Sequence, residues 1–477
     1  MIQSIIYATE SGNLYVYDDQ YSLSLLIHPE FRKVHEKLTD TDQYYLKKYE
    51  YLRGHGFFSK SKCANFVTVS ESMVKNSIIQ TKQISFEVTD SCNLNCTYCN
   101  FGGLYEGFDA RNHRNINTNN AIILLKYIFD HKFNSKNNKL FISFYGGEPL
   151  LNINFIKQIV KVVKQLNSEK ELDIEYSMTT NATLIYKYID FLVANKFKLL
   201  ISLDGNKENH SYRIYSKNKQ NSFQKVIENL DRIQRDYSEY FIHNIRFNAV
   251  LHNRNSVKEI YEFIYKRYRK IPKISELNPH YVNPDKINDL NRMFHRKRES
   301  EAEYQKEESD LLQITHHELL LYKELQEFLR FYSINFYTSN IYLLLHKEEK
   351  YLPTSTCLPF GNRIFLTNRN KLLPCEKVNF KKYAIGEVNR NVIIDIPEIT
   401  RQYNFYYDQL KKVCQYCYSY RFCGICMFFI KNLDKLDTEE FVCDNFYDQK
   451  AFQNKLYRIF SFFEKYPEDF FKIFEIK

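Results

Sequence analysis

The chain has 477 residues, 44% of them apolar and 16% aromatic, which is enough for two or three domains with sizeable cores. Its net charge of +10 comes from 67 basic and 57 acidic residues, and the densest basic run, 295–298, is followed at once by acidic residues. A nucleic-acid-binding protein needs a clustered basic patch, so this class is excluded. We find no signal peptide and no apolar run of about 18 residues, and we expect a cytoplasmic protein with no membrane segment.

Residues 1–80 form the first predicted domain. Alternating patterns between turn residues predict strands at 4–9, 13–18 and 22–28, and helical patterns follow at 29–38 and 42–54. Three strands followed by helices are similar in layout to the winged-helix element with which peptide-maturation enzymes recognise leader peptides. The alternative is a cap that packs on the next domain.

Residues 81–285 alternate strand and helix patterns. The predicted strands are 84–89, 140–145, 174–179, 198–203, 245–251 and 274–282, and the predicted helices between them are 120–131, 153–166, 185–194, 222–235 and 257–269. Six such units predict an α/β fold with a parallel sheet and right-handed crossovers, and a partial (β/α)6 TIM-like barrel fits the count. In such folds the chemistry lies at the carboxyl ends of the strands.

The first of these strands leads directly into three cysteines. Cys92, Cys96 and Cys99 have C-x3-C-x2-C spacing, and Tyr98 precedes the third. A [4Fe–4S] cluster usually takes four cysteine ligands, so three leave one iron open. The alternatives are three buried thiols or zinc, which usually takes two separated pairs of ligands. The segment resembles the signature of the radical SAM superfamily, which implies that the open iron chelates S-adenosylmethionine and that one electron splits it to a 5′-deoxyadenosyl radical.

The second strand ends on a Gly146-Gly147-Glu148-Pro149 turn. Two glycines let the backbone approach a ligand closely, and Glu148 adds a carboxylate. The radical SAM resemblance implies that this turn holds the methionine amine of the cofactor.

The third and fourth predicted strands end on further motifs. Residues 179–184 are similar to the family's TNGTL, with Ala182 in place of glycine, and residues 202–205 are similar to its SLDG, followed by His210 and an arginine. The resemblance implies a cofactor pocket that includes Tyr98, Asn181, Ser202 and Arg213. Asp204 is either a fourth member or a helix cap, and we assign His210 a structural role.

Residues 286–352 are strongly charged and predict a helical connector. Its adjacent His316 and His317 point about 100° apart on a helix, which argues against a shared metal. Residues 353–450 hold most of the cysteines, and residues 451–477 predict a terminal helix over 452–475. Cys63 lies outside every motif and is predicted to be a buried small hydrophobe.

Seven of the eleven cysteines fall in residues 353–450. Their order resembles that of the SPASM domain, which carries two auxiliary [4Fe–4S] clusters. The resemblance implies an inner cluster on Cys357, Cys375 and Cys426, and an outer cluster on Cys414, Cys417, Cys423 and Cys443. The alternative is two zinc ribbons, since CxxC pairs suit zinc.

The carboxy-terminal cysteines depart from the SPASM pattern at three positions. Asn370 replaces the glycine five residues before Cys375, and asparagine also tolerates a left-handed backbone. Two residues, where the family has three, separate Cys423 from Cys426. Arg363 stands where some relatives supply a fourth inner ligand, so the inner cluster has either an open iron or a side chain in its place.

These motifs identify the chain as a member of the radical SAM/SPASM enzymes, and it resembles the maturases of ribosomally made (RiPP) peptides. The resemblance implies S-adenosylmethionine and three [4Fe–4S] clusters as cofactors, one of them binding S-adenosylmethionine and two auxiliary. The expected partners are a precursor peptide with a leader, which receives a thioether or another crosslink, and a reductant such as flavodoxin or ferredoxin. Two alternatives stay open: an anaerobic sulfatase-maturing enzyme, which makes formylglycine, and an inert iron–sulfur scaffold that only binds a peptide.

Overall fold

The computed structural model of the protein describes residues 4–58, 66–132, 139–307, 309–329, 352–420, 423–430, 432–435, 438, 441, 443–470 and 473. The prediction for Cys63 lies outside them. The chain divides into two compact units. The terminal unit consists of Met1–Thr68, His316–Thr356 and Gln402–Lys477, and the central unit consists of Val69–Thr315 and Cys357–Arg401. None of the helices in the described part of the chain combines the length and apolar character that crossing a bilayer demands.

The strands and helices are numbered in chain order. The strands are β1 Ile5–Ala8, β2 Leu14–Asp18, β3 Leu23–Ile27, β4 Gln83–Thr89, β5 Lys139–Gly146, β6 Asp173–Thr180, β7 Lys198–Ser202, β8 Ile245–Leu251, β9 Lys273–Glu276, β10 Ile364–Leu366, β11 Lys371–Leu373, β12 Gly386–Asn389 and β13 Asn391–Ile393. The helices are α1 Pro29–His35, α2 Gln43–Gly54, α3 Glu71–Ile79, α4 Thr118–His131, α5 Ile153–Asn167, α6 Ile189–Ala194, α7 Phe223–Asp236, α8 Ser238–Asn244, α9 Val257–Tyr268, α10 Ile287–Met293, α11 Lys297–Gln305, α12 Asp310–Thr315, α13 Leu320–Phe328, α14 Ile396–Cys414 and α15 Gln449–Lys465.

The terminal unit combines both ends of the chain in one core. Strands β1, β2 and β3 form an antiparallel sheet in that order, as their alternating pattern predicts. Helix α15 packs against β1, and the ring centroid of its buried Phe452 lies 5.0 Å from that of Tyr17 and 5.3 Å from that of Tyr418. The terminal helix predicted to reach residue 475 is wrong in its length, because α15 ends two residues before Pro467, which disfavours a helical conformation at the preceding residue.

The central unit is built on one ten-stranded sheet with the order β13-β12-β11-β10-β4-β5-β6-β7-β8-β9. Strands β4 to β9 pair in parallel and in sequence order, which confirms the predicted mainly parallel α/β fold. Strand β10 also runs parallel to β4 on its other side. The strand that leads into the first cysteines is therefore flanked on both sides.

Short strands from beyond residue 352 complete this sheet. Strands β10 to β13 pair antiparallel with one another, so part of the predicted carboxy-terminal cysteine region extends the sheet of the central unit. The turn between β10 and β11 contains Asn370 with φ +66°, the left-handed backbone expected at that position. The bounds of the five predicted domains stay predictions.

Two predicted elements of the central unit are wrong in extent or kind. The strand predicted at 274–282 stops at Glu276, because Pro279 cannot donate to a ladder and Tyr281 has a left-handed φ of +57°. The helix predicted at 185–194 begins as a 3-10 turn, Ile185–Tyr188, before α6.

The two faces of β4 differ in chemistry. Ile84, Phe86 and Val88 are fully buried and apolar, and the Phe86 ring centroid lies 5.7 Å from that of Phe155 on α5. Because side chains alternate along a strand, Ser85 and Glu87 point to the opposite face. That face is buried and polar.

Candidate active site

The cysteine-bearing loop starts where β4 lies closest to the glycine turn after β5. The Gly147 N–H donates to the Thr89 carbonyl at 2.8 Å, and the Glu148 N–H donates to the Ser91 carbonyl at 2.8 Å. A Cβ on Gly147 would overlap the Ser91 carbonyl, and Gly146 has a left-handed φ of +118°. Only glycine fits at these two positions, so they fix the backbone one residue before Cys92.

One open cavity brings together residues from the carboxyl ends of four neighbouring strands. The space within it is about 860 Å³ when the open solvent at its mouth is included. Of the predicted site residues, it is lined by Cys92, Cys96, Cys99, Gly146, Gly147, Asn181, Ser202 and Arg213. Three other predicted residues, Tyr98, Glu148 and Asp204, are buried and do not line it.

Glu148 is buried beneath the cavity lining, where its carboxylate accepts three hydrogen bonds. Its carboxylate accepts hydrogen bonds from the Thr180 hydroxyl at 2.8 Å, the Asn181 N–H at 2.8 Å and the Leu150 N–H at 3.2 Å. Burial raises the pKa of Glu148 to about 7, although these bonds favour the charged form. The side chain therefore connects the end of β5 to the end of β6.

Asp204 is the centre of a buried network behind the cysteine loop. Arg213 donates to both of its carboxylate oxygens, from Nε at 2.9 Å and from Nη2 at 3.0 Å, and the Tyr98 hydroxyl donates to the same carboxylate. Burial alone would raise the pKa of Asp204, but the Arg213 guanidinium and the hydrogen bond from His252 hold it well below its usual range. A helix cap accepts from backbone N–H groups in the first turn of a helix. The donors here are the side chains of Arg213 and Tyr98, so these contacts are not those of a helix cap.

His210 supports this network and does not reach the cavity. It is fully buried, its Nδ1 accepts from the Asp204 N–H at 3.3 Å, and its Nε2 lies 3.2 Å from the Ser222 hydroxyl. Burial lowers the pKa of His210 to about 3, so the ring is neutral and its Nδ1 is able to accept. These contacts fit the structural role expected for it.

Asn181 connects the third-strand motif to the cysteine loop. Its Nδ2 donates to Asn93 Oδ1 at 2.9 Å and lies 3.7 Å from Cys92 Sγ. The next residue, Ala182, has φ +61°, so alanine here adopts the conformation for which the family uses glycine. Asn229 of α7 donates to the Ala182 carbonyl at 2.8 Å and holds this turn in place.

Three further residues at the site, Arg111, Tyr145 and Glu87, were not among the predicted site residues. Arg111 and Tyr145 line the cavity, and Arg111 Nη2 lies 3.3 Å from Cys99 Sγ. Glu87 is buried next to Gly146 and accepts from the Asn368 N–H at 3.0 Å. Burial raises the pKa of Glu87 to about 7. Of these three residues, only Glu87 could have been noticed in the sequence, because it is a charged residue within the buried strand β4.

Burial disfavours the thiolate form of two of the three loop thiols. Burial raises the pKa of Cys92 to about 11 and that of Cys96 to about 12. Because thiolate is the form that ligates iron, loading the loop must release protons. The donors that surround the thiols then stabilise the negative charge that remains.

The predicted outer cysteine set lies around one small cavity in the terminal unit. Cys414, Cys417, Cys423 and Cys443 line this cavity together with apolar side chains. The Tyr447 N–H donates to Cys417 Sγ at 3.4 Å. Among the described residues, no three or more His, Cys, Asp or Glu side chains converge closely enough to hold a single metal ion. The predicted inner set has Cys357 and Cys375 in the central unit and Cys426 in the terminal unit, and it stays a prediction.

The residues of the loop cavity fit an iron–sulfur cluster and a nucleoside cofactor. Three thiols face one space, and the glycine turn beside them exposes backbone where any Cβ would collide. The rest of the lining offers amide, hydroxyl and guanidinium groups from Asn181, Ser202 and Arg213. Polar groups of this kind suit the ribose and the amino-acid part of S-adenosylmethionine.

Comparisons with known proteins agree with this geometry. Residues 86–264 match the model of the radical SAM superfamily. The chain is 32% identical over 225 residues to a cysteine-type anaerobic sulfatase-maturating enzyme of Clostridium novyi (strain NT), a match that covers 43% of this chain and 56% of the relative. It is 31% identical over 179 residues to the radical SAM cyclopropyl synthase TigE of Paramaledivibacter caminithermalis, covering 36% of each. The matched stretches thus span about half and about a third of these two relatives.

A solved structure shares the fold over most of the chain. "Native anSMEcpe with bound AdoMet" aligns with a TM-score of 0.53 at 17% identity, covering 83% of this chain and all of that one. The structure of anSMEcpe with bound AdoMet and the Kp18Cys peptide aligns with a TM-score of 0.52 at 20% identity. At this identity the similarity concerns the fold alone.

The Asp204 network predicts that Asp204→Asn destabilises the protein and impairs loading of the loop. An amide cannot balance the Arg213 charge, and breaking a buried ion pair costs about 3–5 kcal/mol. We expect a lower unfolding midpoint by circular dichroism, which suits a chain without tryptophan. We also expect less iron per protein after anaerobic reconstitution, because Tyr98 stands between two cysteines.

The matched control is Asp236→Asn, which breaks the exposed Arg235–Asp236 pair. It should change neither the midpoint nor the iron content, because exposed pairs contribute little. Equal midpoints for Asp204→Asn and the unsubstituted protein would contradict the role given to the network.

Proposed function

Because the chain carries a radical SAM domain over residues 86–264, we propose that it is a radical SAM peptide maturase acting on a ribosomally made precursor. The observation that carries this proposal is the single cavity shared by the three loop thiols and the glycine turn after β5. When bound, the cluster and S-adenosylmethionine supply a 5′-deoxyadenosyl radical, which takes a hydrogen atom from a substrate carbon. The protein supplies binding, orientation and electrostatics.

Each group of residues in the cavity has a distinct task in this proposal. Cys92, Cys96 and Cys99 hold the cluster, and the backbone of Gly146 and Gly147 receives the methionine amine. Asn181 and Ser202 offer an amide and a hydroxyl to the ribose. Arg213 is less available to the cofactor than its charge suggests, because its Nε and Nη2 already donate hydrogen bonds to Asp204.

We further propose two auxiliary [4Fe–4S] clusters. The outer one is supported by the small cavity lined by Cys414, Cys417, Cys423 and Cys443. The inner one, on Cys357, Cys375 and Cys426, is supported by the SPASM resemblance. In this proposal the auxiliary clusters accept the surplus electron or hold the substrate, and flavodoxin or ferredoxin supplies electrons to the loop cluster.

The second candidate function is an anaerobic sulfatase-maturing enzyme. The curated relatives favour it as much as they favour a maturase, because one is named a sulfatase-maturating enzyme and the other a cyclopropyl synthase. The two functions differ in the fate of the substrate sulfur. A thioether keeps the sulfur in the peptide, whereas conversion of cysteine to formylglycine exchanges it for oxygen.

The mass of the product therefore separates the two functions. A cysteine-containing precursor peptide, incubated anaerobically with protein, S-adenosylmethionine and reductant, should lose two hydrogen atoms for each crosslink and keep its sulfur. One hydrogen leaves the carbon as an atom and the other leaves the thiol as a proton, while one electron passes to an auxiliary cluster. Mass spectrometry measures this change, and Cys96→Ala protein is the control.

A peptide that loses its sulfur and gains a carbonyl would replace the maturase proposal with the sulfatase-maturing one. A peptide of unchanged mass, with cofactor cleavage in the same tube, would contradict both. Unchanged peptide and intact cofactor would leave the scaffold alternative.

We place leader recognition on the outer strand of the terminal sheet. Strand β3 pairs with β2 on one side, and its Leu26 is 65% exposed. Tyr44 and Tyr51 of α2 are exposed to a similar degree. An extended peptide that adds a strand to such an edge gains backbone hydrogen bonds, and exposed apolar side chains add affinity.

A point substitution tests this site better than a deletion, because β2 and α15 share a core through Tyr17 and Phe452. Leu26→Glu should weaken binding of the precursor's leader peptide about tenfold or more, since an apolar contact of this size contributes about 1.5–3 kcal/mol. Cofactor cleavage without peptide should not change. Fluorescence anisotropy of a labelled leader measures the affinity.

The control for this experiment is Ile287→Glu, which places the same charge on an exposed position of α10 in the central unit. It should bind the leader as the unsubstituted protein does. If Leu26→Glu also binds equally well, the amino-terminal sheet has a merely structural role.

A further inference from the structure

Arg111 lies in the irregular segment after the cysteine loop and lines the same cavity. Its Nη2 donates to Cys99 Sγ at 3.3 Å, and its guanidinium carbon lies 5.3 Å from the centroid of the Phe101 ring. Its Nε is buried and has no hydrogen-bond partner among the described residues. The side chain is therefore held against the loop by a ring and a thiol.

The two arginines of the cavity differ in how their charge is balanced. Arg213 is neutralised by Asp204, which accepts two of its hydrogen bonds. Arg111 makes no such pair with a carboxylate in the described part of the chain, and no Asp or Glu lines the cavity there. Arg111 donates directly to the Cys99 thiol, and its charge also favours the charged form of the buried Glu87.

Two of the loop thiols, Cys92 and Cys99, accept hydrogen bonds from donors of different charge. Cys92 accepts from the Leu94 N–H at 3.4 Å and from Asn181 Nδ2 at 3.7 Å, and both donors are neutral. Within the residues that the structure describes, Cys99 is the loop thiol with a charged donor. Hydrogen bonds with a charged partner are about twice as strong as neutral ones.

We propose that Arg111 is a positioning residue that raises the reduction potential of the cluster held by the loop, through its hydrogen bond to Cys99. Reduction adds one electron to the cluster from a one-electron donor of the flavodoxin or ferredoxin class, and so adds one negative charge. A nearby positive charge and hydrogen bonds to the ligating sulfur stabilise that reduced form. This inference rests on the proposed function, because it requires a cluster on the loop.

The test is a redox titration with dithionite, without S-adenosylmethionine, followed by electron paramagnetic resonance. The signal of the loop cluster is the one that is absent from protein with Cys92, Cys96 and Cys99 all replaced by alanine. Its midpoint potential should be more negative in Arg111→Gln than in the unsubstituted protein. Arg111→Lys keeps the charge without the planar guanidinium and should give an intermediate value.

The control is Arg114→Gln, which removes the same charge from an exposed side chain of the same segment. It should leave the potential unchanged, because solvent screens an exposed charge. If Arg111→Gln does not load iron, Arg111→Lys decides: a potential below that of the unsubstituted protein supports the proposal, and an equal potential overturns it.

Two further outcomes separate failure of this inference from failure of the proposed function. If the unsubstituted protein forms no cluster on the loop, the proposed function is wrong, and the role of Arg111 is wrong with it. If the cluster forms and Arg111→Gln keeps its potential but binds S-adenosylmethionine more weakly, the inference alone is overturned, because Arg111 then serves the carboxylate of the cofactor.

Discussion

The candidate site depends on one close backbone contact, between the glycine turn after β5 and the last residues before the cysteine loop. Gly147 and Ser91 approach so closely that no side chain fits between them. Two backbone hydrogen bonds cross this contact, from Gly147 to Thr89 and from Glu148 to Ser91. The first cysteine follows one residue later, so the loop starts from a point that the parallel pairing of β4 and β5 fixes. If the glycine turn were displaced, the thiols of the loop and the exposed backbone of the turn would both change position.

The two buried acidic residues of the motifs bond to other protein groups and do not line the cavity. Glu148 uses its carboxylate to join the ends of β5 and β6, and Asp204 uses its own to hold Tyr98 and Arg213. The resemblance to family motifs predicts Glu148 at the cofactor pocket and offers Asp204 as either a pocket residue or a helix cap. A motif shows which residue type recurs at a position. It does not show whether that residue contacts the ligand or supports the site from a buried position behind it. In this protein the buried acids hold the loop, while amides, hydroxyls and backbone face the cavity.

The sequence predicts the parallel part of the sheet well, because strand patterns alternate with helical patterns and the first four of these strands end on a motif. Strand β8 lies at the predicted residues, and β4 to β7 differ from prediction by a residue or two at their ends. Strand β9 is shorter because Pro279 interrupts it. Strands β10 to β13 have three or four residues each, which is too few for a periodic pattern. They join the sheet because β10 pairs with β4, a strand far earlier in the chain.

Other features depend on contacts that no local pattern records. The shared core of β2 and α15 joins the two ends of the chain through Tyr17 and Phe452. Arg111 lies in a segment without periodicity or motif, so its position at Cys99 follows from the fold alone. Asn370 is the opposite case, because its intrinsic tolerance of a left-handed backbone made φ +66° predictable from its residue type.

The most direct test of this account is release of 5′-deoxyadenosine by anaerobically reconstituted protein given reductant and S-adenosylmethionine, measured by liquid chromatography and mass spectrometry. The unsubstituted protein should release it, and Cys96→Ala should not, because the loop would then lack a ligand of its cluster. An iron-loaded protein that never cleaves the cofactor, even with its peptide present, would contradict the account. Equal release by Cys96→Ala would contradict it as well.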